Sequence, residues 1–356
     1  MNVINWYIVK EVLKGSFAAL VVLLTLFTLF TFSDELKDIG KGDYRLREIL
    51  LFLFFDAPTV MYELMPTAAL LGSLFVLGAM ANNRELVAMQ AAGLSIFGII
   101  KAVMMAGLIL AIFAIGVGEF IAPEAEYDAM MIRSTAQEKQ VVLQTRYGLW
   151  LREGNVFINV RQVAAENKLA DISVFELNKD YHLVSMVHAA HADFVAAGRW
   201  KFNQIQRTDV VGERIVAATL PQGDFQSSID PALLNMVVVS ADNLSLYDLA
   251  MYVDFLKKNN QKSQLFELAF WGRVVNPLVI FVMLLVSAPF VIGIKRGVSV
   301  GARIMVGVLI GMGFNVFDKI AGHLGLVYDL NPALMAVLPS ALVLSISLIA
   351  IAKLRV

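Results

Sequence analysis

Side chains that could do chemistry are few and scattered along this chain. His188 and His191 stand three apart in a run of alternating apolarity, so on a strand they leave opposite faces. Surface or packed histidine is therefore the plainer reading than a metal site there. There is no His-Glu-x-x-His, and no Ser sits in Gly-x-Ser-x-Gly. The series Gly293, Gly297, Gly301 lacks the Lys-Ser/Thr of a phosphate-binding loop and reads as a helix-packing or loop feature. With no cysteine, disulfides, thiolate metal sites and thiol catalysis are excluded. The sequence thus predicts no catalytic residue, no metal ligand and no cofactor.

Polar residues inside apolar runs form a second group. An ionised side chain at the centre of a bilayer costs at least about 2.5–3.5 kcal/mol, so each such residue needs an explanation. Asp56, Glu63, Glu119 and Arg273 lie near the ends of apolar runs, where snorkelling to the interface accounts for them. Asn315, Asp318 and Lys319 close another run, either pointing into a cavity or with Asp318 and Lys319 paired at the interface. Pro58 and Pro66, and then Pro277 and Pro289, remove backbone donors and allow kinks.

The most informative short segment runs from Asn82 to Ser95. Asn82 can cap a helix with Glu85 at its third position, a variant capping box, and Gly93 suits a left-handed stop. The spacing predicts a two-turn helix. Ala88, Ala91 and Ala92 keep one surface low enough for another protein to approach, and Arg84 and Glu85 offer charge-assisted contacts. From pattern alone, a docking helix and an interfacial helix lying on lipid stand equal.

The elements that must position these residues are membrane spans. Of the 356 residues 58% are hydrophobic and only 17% charged, with a mean hydropathy of +0.69. A bilayer core of about 30 Å needs about 20 helical residues. Six runs qualify: 15–33, 64–83, 102–118 (extending to 121), 268–294, 298–317 and 332–352. A Phe-rich run at 50–55 precedes the second and is expected in the interface. The first run is too long for a cleaved leader and no Ala-x-Ala site follows it. With 29 basic and 30 acidic residues, the chain has no excess of positive charge to hold nucleic acid.

Between the third and fourth spans lies a polar block, 124–262, with a period of two. Val156, Ile158 and Val160 alternate with Phe157, Asn159 and Arg161, and Ile172/Val174 and Trp200/Phe202 repeat the pattern. Turn signals at Glu153-Gly154-Asn155, Asn178-Lys179-Asp180 and Ala197-Gly198 predict short antiparallel strands in a sandwich or barrel. A helical period returns over Asp242–Lys258. The expected fold class is α-helical transmembrane, three helices plus three, with an inserted all-β domain. The expected division is 1–123, 124–262 and 263–356.

Lys10, Lys14, Arg84, Lys101, Lys295, Arg296, Arg303, Lys353 and Arg355 fall on one side of a six-span plan. The positive-inside rule then places both termini in the cytoplasm and the β domain in the periplasm. Lys37, Lys41, Arg45 and Arg47 fit this less well, being on the outer side with five acids.

At the Asn82–Ser95 loop the chain resembles the permease family of the lipopolysaccharide-export ABC transporter, LptF/LptG. The likeness continues through Trp6-Tyr7-Ile8-Val9-Lys10, Asp34-Glu35-Leu36-Lys37, Gly42-Asp43-Tyr44 and Pro66 to Leu77. It goes on through Arg84 to Gly93, Gly118-Glu119-Phe120-Ile121-Ala122-Pro123, Gly148-Leu149-Trp150, the Leu244–Leu256 linker and Asn276-Pro277-Leu278 onward. The Gly-Glu-Phe-Ile-Ala-Pro and Gly-Leu-Trp segments look more like the G branch.

The resemblance implies six helices with a periplasmic β-jellyroll in a multi-pass protein of the bacterial inner membrane. It implies a homologous LptF-like permease partner and two copies of a cytoplasmic LptB-like ATPase. A single-span LptC-like subunit, a periplasmic LptA-like bridge and lipopolysaccharide as cargo complete the set. Arg84, Glu85, Ala88, Met89, Ala92 and Gly93 would couple to the ATPase, so the chain itself would not be an enzyme. Spans one and five would form the gates of a cavity lined by Phe27, Phe30 and Phe32. Lys37, Lys41 and Arg133 would meet head-group phosphates, although Asp38 follows Lys37 where some relatives carry a second Lys. Ordinary loop charges are the alternative account of these three. Two other readings stand beside this one: an ABC permease that passes force to a periplasmic partner, and a polytopic scaffold presenting a β domain.

Overall fold

The computed structural model describes residues 3–137, 141–142, 149–164, 168–178, 180–196, 199–212, 214–226, 240–259, 261–292 and 300–353. The turn at Ala197-Gly198, Lys179, Gly148, Lys295, Arg296, Arg355 and the glycines Gly293 and Gly297 lie outside these residues. The chain divides into two compact units. One comprises Met1–Asp34, Phe55–Ala125 and Gln264–Val356, the other Glu35–Phe54 and Glu126–Ser263.

The first unit is helical. Six helices are long and apolar enough to cross a membrane. They are α1 (Val3–Glu35), α2 (Leu46–Asn82), α4 (Ile96–Phe120), α7 (Gln264–Ile292), α8 (Val300–Val327) and α9 (Pro332–Lys353), with the short α3 (Glu85–Ala91) between the second and third. Even α9, with 22 residues, spans about 33 Å at 1.5 Å per residue. The run 50–55 forms the start of α2, which continues unbroken through Asp56, Pro58 and Pro66. A single charge cannot outweigh the surrounding apolar residues, and Phe52 and Leu53 are buried.

Burial differs sharply among the spans. In its most apolar stretch α2 is 72% buried, α7 50% and α4 39%, while α1, α8 and α9 reach only 11%, 17% and 22%. Thus α2, α4 and α7 form the centre of the unit. Ile8, Val9, Met65, Leu70, Leu74, Ile99, Leu110, Ile280 and Leu284 meet in one apolar cluster. Between helices in lipid, close fit replaces the hydrophobic effect as the source of stability. Gly72 shows this, for a Cβ there would collide with the backbone of Ser16 on α1.

The second unit carries the sheet. Its strands are β1 (Val141–Val142), β2 (Leu149–Glu153), β3 (Val156–Ala164), β4 (Lys168–Leu177), β5 (Leu183–Ala196), β6 (Arg199–Val211) and β7 (Arg214–Gln226). All pair antiparallel, β3 to β7 in hairpin order, with β1 and β2 both on β3. No second sheet faces this one among the described residues. The expected turn at Gly154-Asn155 is a two-residue hairpin with Gly154 at φ 59°. At the next turn Asn178 Oδ1 accepts from the backbone N–H groups of Asp180 and His182, each at 2.9 Å.

Ile158, Val160, Ile172, Val174, Trp200 and Phe202 are buried on one face, as the alternation predicts. The alternation then slips. Leu169 and Ile172, Ala189 and Ala192, and Phe202 and Ile205 are all buried, each pair three apart rather than two. Between them Asp171, Ala190 and Gln204 form a row across three adjacent strands, where ladder pairing is interrupted. Asp171 and Gln204 have φ of 53° and 54°, in the left-handed region. The row reaches Pro221 on β7, which has no N–H to give. The sheet is creased along one line, and each of β4, β5 and β6 resumes its alternation out of phase beyond it.

Helix α5 (Ala122–Ala136) and helix α6 (Leu246–Lys258) add Tyr127 and Phe255 to the apolar face. Ser245 caps α6, its Oγ accepting from Asp248 N at 3.1 Å. Leu249, Tyr252 and Leu256 form the buried stripe of that helix, as the helical period predicts.

Candidate functional site

Two groups of predicted site residues fall in the helical unit and one in the sheet unit. The first is α3. Its N-terminus departs from the expected capping box: Asn82 is the last residue of α2 and Glu85 the first of α3. The turn between them is too short for a cap at Asn82. Arg84 takes the cap position in the left-handed region, φ 62°, and no side chain caps the helix. Glu85 is held otherwise: its Oε2 accepts from Tyr7 OH at 3.1 Å and its Oε1 from Asn83 Nδ2 at 3.4 Å.

The other end follows expectation. Gly93 has φ 92°, Leu94 N donates to Met89 O and Gly93 N to Gln90 O, both at 3.0 Å. This is the Schellman arrangement. Leu86 is buried, and Met89 is half-buried against the same apolar cluster. Val87, Ala88, Ala91, Ala92 and Gly93 are exposed. The helix therefore anchors by Leu86 and Met89 and presents a low surface of small residues. Met89 is on the anchoring side, not the free one.

The aromatic residues proposed to line a cavity are on α1. Phe27 and Phe30 are exposed and Phe32 is half-buried.

The cations lie in the sheet unit, and they are already engaged. Arg133 Nη2 is 3.2 Å from Glu35 Oε1 and 3.5 Å from Asp38 Oδ2. Lys41 Nζ is 2.5 Å from Asp38 Oδ1, and Gln137 Nε2 donates to Asp38 Oδ2 at 3.3 Å. Tyr44, fully buried, donates to Glu35 Oε2 at 2.8 Å. Burial, with the Glu35 carboxylate beside it, pushes the Tyr44 phenol well above its usual pKa. Arg133 also stacks its guanidinium 5.5 Å from the Phe52 ring centre. Among Glu35, Asp38, Lys41 and Arg133 the charges cancel. Lys37 is exposed on the same segment.

Two intramembrane polar groups find partners that the sequence did not reveal. Arg273 on α7 does not snorkel. Its side chain is 3% exposed, its Nε is 2.9 Å from Glu119 Oε1 on α4, and a second nitrogen reaches Gly118 O. Tyr62 on α2 offers its ring 5.1 Å below the guanidinium and donates to Arg273 O at 3.3 Å. Asn315 and Asp318 line a polar cleft with Glu63, Thr67 and Asn276. The second unforeseen residue is Arg303 on α8. Its Nη1 donates to Gly78 O at 2.6 Å and its Nη2 to Asn82 Oδ1 at 3.2 Å.

Around His188, Ser173 Oγ is 3.2 Å away and Asp171 Oδ1 3.7 Å. No group of three potential ligands lies close enough to hold a metal among the described residues.

Six spanning helices, a short exposed helix after the second and a β domain inserted after the third define a polytopic permease. The chain matches the family described as lipopolysaccharide export system permease LptF/LptG over residues 6–353, and it belongs to that family. It is 32% identical to the lipopolysaccharide export system permease protein LptG of Haemophilus influenzae over 343 residues, 96% of each chain. It is likewise 32% identical to LptG of Escherichia coli K12 over 349 residues, 98% of this chain and 97% of that one. Its likeness to LptF of Escherichia coli K12 covers 108 residues, 30% of each.

Proposed function

We propose that this chain is a G-type permease subunit of the lipopolysaccharide-export ABC transporter, working in the inner membrane without an ATPase site of its own. The observation that carries this is the family match over residues 6–353, with the LptG likeness extending over nearly the whole chain. A homologous LptF-like permease faces it across a cavity open to the outer leaflet. Two LptB-like ATPases dock from the cytoplasm, one of them on α3. An LptC-like single-span subunit and an LptA-like bridge complete the route.

Physical chemistry supports the division of labour. Moving a single acyl chain of about a dozen methylenes from lipid to water costs about 10 kcal/mol. The path must therefore be apolar throughout and driven by ATP. Phe27, Phe30 and Phe32 supply apolar area on α1. In the periplasm the sheet shields acyl chains from water. We assign that sheet to the jellyroll expected of the family. Lys37, Lys41 and Arg133 take the head-group phosphates, and phosphate must compete with Asp38 and Glu35 for the last two. Arg84, Glu85, Ala88, Ala92 and Gly93 form the ATPase contact, with Met89 anchoring it. Both termini are cytoplasmic and the β domain periplasmic.

The test is native mass spectrometry of the tagged protein purified in mild detergent. The expected mass contains this chain, one similar permease and two ATPase copies, with lipopolysaccharide retained. A lone chain or a homodimer without ATPase, from cells in which the tagged protein still functions, overturns the proposal.

A further inference from the structure

Tyr7, Glu85, Asn83, Asn82 and Arg303 form an almost continuous polar chain across the helical unit. Tyr7 OH donates from α1 to Glu85 Oε2 at 3.1 Å, and Asn83 Nδ2 donates to Glu85 Oε1 at 3.4 Å. One residue back, Asn82 Oδ1 accepts from Arg303 Nη2 of α8 at 3.2 Å, while Arg303 Nη1 reaches Gly78 O at 2.6 Å. The chain thus begins on one span, crosses the start of α3 and the last turn of α2, and ends on another span.

The spans it joins are the two least buried, α1 at 11% and α8 at 17% of their most apolar stretches. Those stretches pack little, whereas Ile8, Val9 and Val12 beside Tyr7 are buried, so the directed polar contacts tie the packed end of each span to α2 and α3. Arg303 is 6% exposed and meets no carboxylate within ion-pair reach among the described residues. Its charge is balanced by carbonyl oxygen at the C-terminal end of α2, where the helix dipole is negative. Gly78 is fitted to it: a Cβ there would lie 2.6 Å from Arg303 Nη1. A buried guanidinium held by two acceptors from one helix end follows that end when it moves.

We propose that Tyr7 and Arg303 are the positioning residues that carry displacement of the docking helix to α1 and α8, leaving the buried centre of α2, α4 and α7 in place. This rests on the reading of α3 as the ATPase contact. Neither residue touches ATPase or cargo in this arrangement; each transmits through Glu85 or through the end of α2.

The test uses the whole complex in vesicles, with wild type, Tyr7→Phe and Arg303→Lys compared. ATPase retention, ATP hydrolysis and lipopolysaccharide delivered to acceptor vesicles are measured together. Because the chain has no cysteine, Leu29→Cys on α1 and Leu324→Cys on α8 can carry a spin-label pair that reports their separation. The expected result is ATPase retained and hydrolysis within about twofold of wild type, with lipopolysaccharide per ATP down at least about fivefold in each variant, on the order of the loss of one hydrogen bond. The ATP-driven change in label separation shrinks in parallel. Wild-type export per ATP in both variants overturns the proposal. So does loss of ATPase together with export, which would make these residues part of docking. A wild-type complex that retains no ATPase overturns the underlying reading of α3, and the proposal with it.

Discussion

Arg273 Nε stands 2.9 Å from Glu119 Oε1, joining the span that precedes the β domain in sequence to the one that follows it. Both groups are within helices, with side chains 3% and 17% exposed. Removing Glu119 takes a carboxylate from beside a buried guanidinium, where water cannot replace it. Glu119→Ala is expected to destabilise the protein by about 3–5 kcal/mol. The double variant Glu119→Leu with Arg273→Met recovers most of that loss. Thermal unfolding in detergent checks the order: the double variant melts above Glu119→Ala.

The pairing of Asp38 with Lys41 and Arg133 sets the second prediction. Asp38→Asn leaves Lys41 without that carboxylate and Arg133 with Glu35 alone. An exposed pair is worth about 0.2–1 kcal/mol, so binding of a phosphorylated lipid should tighten by about 1.5- to fivefold at low salt. Equilibrium binding of lipopolysaccharide to the purified complex at two ionic strengths measures it. The gain should shrink at the higher salt.

A third prediction concerns the crease. Gln204 holds φ 54° with an ordinary side chain. Gln204→Ile places a β-branched residue where the left-handed conformation is most costly, and should destabilise by about 1–2 kcal/mol. Gln204→Asn, which tolerates that region, should be close to neutral. Comparing the two melting temperatures separates conformational strain from loss of the glutamine side chain.

Tyrosine burial gives the pH dependence. Desolvation pushes the Tyr252 phenol from 10.0 up to about 12. A raised folded-state value means that the native protein binds this proton more tightly than the unfolded chain does. The contribution is present in full below about pH 10, the unfolded value, and is lost as pH rises to about 12; it amounts to about 3 kcal/mol. Tyr44 acts in the same direction. Tyr252→Phe should therefore hold its fold to higher pH than wild type, as followed by tryptophan fluorescence between pH 9 and 12.

The spans were legible because length and apolarity decide them and little else competes. The start of α2 was not, because Asp56 interrupts the apolar run at 50–55 and hides its continuity with Leu64 onward. Strand alternation was legible at Val156–Val160, Ile172/Val174 and Trp200/Phe202. The slip at Asp171, Ala190 and Gln204 was not, since no glycine marks the left-handed positions. Lys37, Lys41 and Arg133 stood out as cations, but their neutralisation by Glu35 and Asp38 needs the fold that brings α5 against the 35–54 segment. Tyr7 and Arg303 carried no signal of a role: at the ends of spans they look like ordinary flanking residues. Their significance comes only from the distance to Glu85, Gly78 and Asn82.

The crease has a consequence for descent. Deleting Ala190 alone would turn one end of β5 over, setting polar residues against the apolar faces of β4 and β6 on that side of the line. Loss of Asp171 or Gln204 alone would do the same to its own strand. Intermediates that keep only part of the row are thus penalised, and Arg161, Asp171, Ala190, Gln204 and Pro221, which face one another from β3 to β7, must be gained or lost as a block. Length changes among relatives should accumulate in the hairpin tips and spare this row.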